Sequence, residues 1–225
     1  QARISSTERD FGEQFMKFET KAIHSTPRGD PTTKGVTPAI HMSTTFERDD
    51  DGSYPAGYMN SRFENPNRQM LETSLAKLEG GKAARAFSSG SAATFTLLHT
   101  LKPGDHVIAP IDVYHGTATI IKNVMAPWGL QCSFVDMTKV GEVEQAIGPT
   151  TKLIWTESPS NPLLKITDIQ QISELAHLNK ALCVSDNTWM TPALQQPFSL
   201  GADVIIHSTT KYLGGHSDVL GGAIV

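Results

Sequence analysis

From residue 83 onward the chain alternates short apolar runs, at 83–88, 106–110, 131–136, 152–157, 182–186, 204–207 and 222–225, with longer amphipathic stretches. The stretches at 67–79, 90–101, 115–128 and 168–179 space their apolar residues as helices do; Met70, Leu71, Leu75 and Leu78 share one stripe of the first. A strand followed by a helix, repeated, is the pattern of an α/β protein: a mostly parallel sheet with helices on both faces. In such sheets ligands gather beyond the carboxyl ends of the strands. Chemistry is therefore to be sought in the residues that follow each apolar run.

Residues 1–60 behave differently. They hold Pro27, Pro31, Pro38 and Pro55, an acidic turn at Asp49-Asp50-Asp51-Gly52, and little periodicity beyond 11–23. A weakly regular arm of this length rarely stabilises itself, and we expect it to pack on a neighbouring subunit, with residues 61–225 forming a separate domain. Gly221-Gly222-Ala223-Ile224-Val225 reads as a strand only just begun, so that domain is expected to be incomplete at its C-terminal end. A hydrophobic content of 39% supplies a sizeable core. A net charge of −4 gives no reason to expect nucleic acid or an acidic membrane as partner. Cys132 and Cys183 each sit inside an apolar run, as core thiols of a reducing compartment do. No apolar stretch reaches the length that spans a bilayer, and residues 1–12 lack the apolar segment of a secretory signal. The expected address is the cytoplasm.

Two strand ends carry the strongest chemical signal. The run Asp203-Val204-Ile205-Ile206 leads into Ser208-Thr209-Thr210-Lys211, which delivers hydroxyls and an amine to one spot. That combination suits an aldehyde cofactor bearing a phosphate, with the lysine joined to the aldehyde and the hydroxyls on the phosphate. The run Ala181-Leu182-Cys183-Val184 ends in Ser185-Asp186-Asn187, where an acid could face a positively charged ring nitrogen. A cofactor-bound lysine with an acidic pyridinium partner is the recurring pattern of pyridoxal phosphate sites. Ser88-Ser89-Gly90-Ser91 follows the first strand and opens a helix, which makes it either an ordinary N-cap or an anion site. Tyr114, just past a strand end, offers an aromatic face for stacking, or packs under a loop. In Glu157-Ser158-Pro159-Ser160-Asn161-Pro162 the prolines fix the backbone and aim the Asn161 amide, unless the segment is a plain turn. Arg62 is a permanent cation able to clamp a phosphate, or a surface arginine. The histidines show no metal-ligand spacing and there is no Cys-x-x-Cys pair, so no metal is expected. His207 is read as a strand residue and His216 as a turn donor.

In this order these segments resemble the Cys/Met-metabolism group of fold-type I pyridoxal-phosphate enzymes, over about residues 18–225. The most specific segment is Ser208-Thr209-Thr210-Lys211-Tyr212 followed by Gly215-His216-Ser217-Asp218. The resemblance implies an aspartate-aminotransferase-like large domain followed by a smaller C-terminal domain, missing here, that carries the arginine for the substrate carboxylate. It implies that Lys211 holds the cofactor covalently, Asp186 pairs with the pyridinium nitrogen, Tyr114 stacks on the ring and Asn161 contacts the ring oxygen. Ser89, Gly90, Ser91, Ser208 and Thr210 would cradle the phosphate. Arg62 would reach the phosphate of the neighbouring subunit, making the active unit a dimer and the assembly usually a tetramer. The sequence departs from the family at Asn60, where members commonly have tyrosine in Tyr-Ser-Arg; Tyr58 lies two residues earlier.

Within the group, Glu157 to Leu164 and Thr191 to Gln195 look most like cystathionine gamma-synthase. Gly116 sits where methionine gamma-lyases carry cysteine. The expected reaction is condensation of an O-acylhomoserine, succinyl or acetyl, with cysteine to give cystathionine, with Lys211 as the base. Cystathionine gamma-lyase comes second, and a non-catalytic cofactor-binding fragment is the alternative of a different class.

Overall fold

The computed structural model describes residues 16–26, 30 and 32–225. The chain divides into two compact units, Gln1–Ala83 and Ala84–Val225.

In the first unit, helix α1 (Phe18–His24) covers the latter part of the periodic segment at 11–23, whose residues 11–15 lie outside the described ones. Helix α2 (Pro66–Glu79) has well-defined ends. The Asn65 side chain accepts from the N–H groups of Asn67 and Arg68, Pro66 occupies the first turn, and Gly80 closes the helix at φ 76°. Arg68 donates to the Ser61 carbonyl at 2.6 Å and the Phe63 carbonyl at 2.5 Å, which fixes the turn that bears Arg62.

The second unit is built on a sheet of strands β1 (Arg85–Phe87), β2 (His106–Pro110), β3 (Gln131–Val135), β4 (Thr151–Glu157), β5 (Leu182–Asp186), β6 (Val204–His207) and β7 (Gly222–Ile224), in the order β1-β7-β6-β5-β4-β2-β3. Strands β2 to β6 pair in parallel, whereas β7 runs antiparallel to both β1 and β6. The central strands read as unbroken apolar runs because both faces are covered. Successive residues point to opposite sides. Val107, Ala109, Leu153, Trp155 and Val184 join one core with Ala93, Leu98 and Met125. Ile108, Ile154 and Cys183 join another with Val143, Ile172 and Ala176. Helices α3 (Gly90–Leu98) and α4 (His115–Ile120), with Ile121 and Met125, thus cover the first face, and α6 (Val140–Ala146) and α7 (Ile169–Leu178) the second, whereas α5 (Ala126–Trp128) buries no residue.

Two helices differ from expectation. The 115–128 segment is interrupted by a π-helical turn at Ile121–Met125, because Pro127 has no N–H for the carbonyl one turn earlier and the ladder widens instead. Helix α3 ends at Leu98 rather than at residue 101, where the Thr100 and Leu101 N–H groups bond to the Leu97 and Leu98 carbonyls three residues back and tighten the last turn. Helix α6, short and burying only Val143 fully, was not foreseen.

Candidate active site

The carboxyl ends of β4, β5 and β6, the loop after β2 and the start of α3 surround one cleft of about 710 Å³, all within the second unit. Lys211, Asp186, Tyr114, Asn161, Ser89, Gly90, Ser91, Ser208 and Thr210, the residues singled out in the sequence, line it together. Arg62 belongs to the first unit, where its guanidinium lies 5.5 Å from the centre of the Phe63 ring.

At one side of the cleft the first turn of α3 lies close against Ser208. A Cβ on Gly90 would sit 2.8 Å from the Ser208 Cβ and 3.0 Å from its Oγ, so the approach is open to glycine alone. The Ser89 Oγ accepts from the Ala92 N–H at 3.0 Å. The cap and the anion site are compatible, because a hydroxyl that accepts this bond still has its own proton to donate. The N–H groups of Gly90 and Ser91 precede the first intrahelical bond, from Ala93 to the Ser89 carbonyl, and such groups favour an anion. The Thr210 hydroxyl is more occupied. It donates to the Gly221 carbonyl at 3.1 Å and accepts from the Gly221 N–H at 3.0 Å, binding the lysine turn to the chain that enters β7.

At the floor, Asp186 and Glu157 are register partners on adjacent parallel strands. Burial pushes both carboxyls above their ordinary range, and the Asp186 charge pushes Glu157 further. The Thr188 N–H, which the Asp186 Oδ1 accepts at 3.0 Å, and the His207 charge act in the opposite direction on Asp186. Thr188 also accepts the Ser208 N–H on its Oγ1 at 2.9 Å, so one residue links the acid to the serine that faces α3. Tyr114 is half-exposed over the cleft. A Cβ at Gly116 would come within 2.5 Å of its ring, so glycine gives the ring its room.

Sequence reasoning passed over Thr188 and Trp189 and gave no role to Tyr212 within the lysine segment, and all three also line the cleft. The Trp189 and Tyr212 rings stand 6.1 Å apart beside Lys211. A tryptophan and a tyrosine so close to strand ends that carry chemistry were the available signal. In the first unit, Asn60 accepts the Arg62 N–H at 2.9 Å and pairs with Thr45 in an isolated antiparallel bridge. The Tyr58 hydroxyl is bonded to Gln69 and its ring packs at 5.3 Å from that of Phe46.

Residues 19–225 match the family described as Cys/Met metabolism PLP-dependent enzyme. The chain belongs to that family. It is 51% identical over 207 residues to the cystathionine gamma-synthase of Mycobacterium tuberculosis, covering 92% of this chain and 53% of the relative. It is 44% identical over 208 residues to the cystathionine beta-lyase of Coxiella burnetii, covering 92% and 54%. The crystal structure of cystathionine gamma-lyase from Lactobacillus plantarum complexed with L-serine superposes with a TM-score of 0.90 at 45% identity, over 93% of this chain and 55% of that one. The chain therefore spans about half the length of the relatives it matches. Among the described residues no helix is long and apolar enough to cross a membrane.

The cofactor of the family is pyridoxal phosphate, and the cleft has the donor set that this group requires. A lysine amine stands beyond the end of β6, a side-chain-free helix start abuts a serine, and burial at the floor disfavours the charged forms of two carboxyls, which a cationic ring nitrogen would favour.

Proposed function

We propose that the protein uses pyridoxal phosphate for gamma-replacement, joining an O-acylhomoserine to cysteine to form cystathionine. In the net reaction the Cγ–O bond of the homoserine ester breaks and a Cγ–S bond forms. The carboxylate leaves, and the thiol proton is released. The observation that carries the reading is the convergence of Lys211, Asp186 and the start of α3 on one cleft. The choice of synthase is supported by the 51% identity over 207 residues to the Mycobacterium tuberculosis synthase, while Gly116, under the Tyr114 ring, argues against a methionine gamma-lyase.

Bound pyridoxal phosphate supplies an electron sink. The chain's own residues do the rest. Lys211 Nζ would hold the cofactor and, when free, would serve as the base that takes the proton from the substrate Cα and returns it. Asp186, at the end of β5, would face the ring nitrogen and favour its protonated form, Tyr114 would offer its ring for stacking, and Asn161 would offer its amide as a donor to the ring oxygen. Ser89, Gly90, Ser91 and Ser208 hold the phosphate through N–H and hydroxyl donors. Thr210 joins them by turning its hydroxyl from Gly221 or by fixing the turn that presents Lys211. Arg62 reaches the phosphate of a neighbouring copy, which makes the active unit a dimer within a tetramer. Val36, Ile40 and Met42, exposed at 92, 80 and 85%, supply apolar surface for such a partner.

A gamma-lyase reading, cystathionine to cysteine, 2-oxobutyrate and ammonia, is favoured by the likeness to the Lactobacillus plantarum enzyme. A paired assay on the full-length protein separates the two. Cysteine with O-succinyl- or O-acetylhomoserine should yield cystathionine, and cystathionine alone should yield little 2-oxobutyrate. The reverse outcome makes the protein a lyase, and silence in both tubes removes the enzyme reading.

A further inference from the structure

Glu157 has no part in the chemistry proposed above, yet it is 3% exposed at the cleft floor beside Asp186. Its two oxygens are committed in different directions. Oε2 accepts the Tyr114 N–H and Oε1 the Asn161 N–H, each at 2.9 Å. Tyr114 belongs to the loop after β2 and Asn161 to the loop after β4, so one side chain fixes the backbone of both residues. A tie between these loops for stability alone is already in place. The Ser160 Oγ donates to the Asp112 Oδ2 at 2.5 Å and accepts from the Lys165 N–H at 3.0 Å. A buried acid is an expensive second tie, the more so next to Asp186, whose charge opposes its ionisation.

We propose that Glu157 is a positioning residue whose two carboxyl oxygens set Tyr114 and Asn161 at matched heights, and with them the seat of the pyridine ring. The inference rests on the reading of those two residues as cofactor contacts. Geometry explains why an acid is used. Two N–H donors that arrive from separate loops need two acceptors on one rigid plane, and only Asp and Glu offer them. With its N–H held, Tyr114 can aim its ring only through its side-chain torsions, in the space left by Gly116.

The test is a titration of cofactor-free full-length protein with pyridoxal phosphate, followed by visible absorption and visible circular dichroism. Glu157→Gln keeps the size but offers one acceptor and one donor, so one of the two N–H groups loses its partner. That variant should bind the cofactor about tenfold more weakly and show an altered visible circular dichroism, with an unchanged far-ultraviolet spectrum. Wild-type affinity and wild-type visible circular dichroism in a folded Glu157→Gln protein would overturn the inference. If that variant does not fold, hydrogen exchange on the wild type decides. The Tyr114 and Asn161 amides should slow together when the cofactor is added, and slowing of one alone, or of neither, sinks the proposal. Failure of the underlying reading looks different: the wild type would give no visible band with pyridoxal phosphate, and both proposals would fall.

Discussion

At the amino ends of β2, β3 and β4, His106 is buried with both ring nitrogens satisfied. Nδ1 lies 2.8 Å from the Thr151 Oγ1 and Nε2 lies 3.0 Å from the Ser133 Oγ. Burial holds its pKa below the ordinary range, and its partners are hydroxyls that adapt to a neutral ring. At the carboxyl ends of β4 and β5 the buried groups are Glu157 and Asp186, acids placed side by side. One end of the sheet buries a neutral, closed network. The other holds acids that would be better served by a cation. We read the contrast as marking the end that serves a ligand: two acids buried where their charged forms are disfavoured are costly, and such perturbed groups gather where chemistry uses them.

The strongest test of this contrast lies at the costly end. Lys211→Ala should abolish the visible band of the lysine-bound cofactor and lower turnover by roughly 10³-fold, as read by absorption and by the cystathionine assay. An unchanged spectrum would remove Lys211 from the site. Asp186→Asn should lower turnover by about 10²-fold while the melting temperature stays level or rises, because a carboxyl disfavoured by burial has been replaced by a neutral group of the same size. Equal turnover would reduce Asp186 to an acceptor for the Thr188 N–H.

The amino end should respond in the opposite sense. His106→Ala leaves Thr151 and Ser133 without their shared partner and should cost about 1–3 kcal/mol of stability, measured by denaturant unfolding. The affinity for pyridoxal phosphate should stay at the wild-type value. A loss of affinity without a loss of stability would mean that the two ends of the sheet are coupled and that the contrast is misdrawn.

How much of this was legible in the sequence follows the same division. Strands β2, β5 and β6 have the expected bounds because each is buried over most of its length on both faces and so reads as one short apolar run. Lys211, Asp186 and Ser208 were legible because a strand end brings its next residues to the cleft without any help from distant contacts. Glu157 stood in a segment that had been singled out, but its role depends on Tyr114, 43 positions away, folding back over it. Thr188 escaped for a similar reason, since its hydroxyl acts on Ser208, 20 positions on. The widened turn at Ile121–Met125 was missed because apolar spacing alone does not register the missing N–H of Pro127. Arg62, Asn60 and the exposed Val36, Ile40 and Met42 belong to the first unit, whose sequence has little periodicity to read.

The pH dependence of stability in the cofactor-free protein opposes the two ends most directly. Glu157 holds its proton up to about pH 8 when folded, whereas it ionises near its ordinary value of 4.5 when unfolded. Between those values the unfolded state binds fewer protons, so stability from this group is complete below about pH 4.5 and is lost as pH rises towards 8. His106 has the opposite sign. Its folded pKa lies below the ordinary 6.5, so its contribution is complete above that value and is lost as pH falls below it. A single proton limits either slope to about 1.4 kcal/mol per pH unit. Melting temperatures of wild type, Glu157→Gln and His106→Ala across this range should therefore diverge in opposite directions. Glu157→Gln should flatten the decline on the alkaline side, because its amide does not titrate, and His106→Ala should flatten the decline on the acid side. If Glu157→Gln keeps the wild-type alkaline slope, the buried acid at the cleft floor is already ionised in the folded protein. The strain attributed to the carboxyl end would then have to reside in Asp186 alone, whose folded pKa is raised by the same burial.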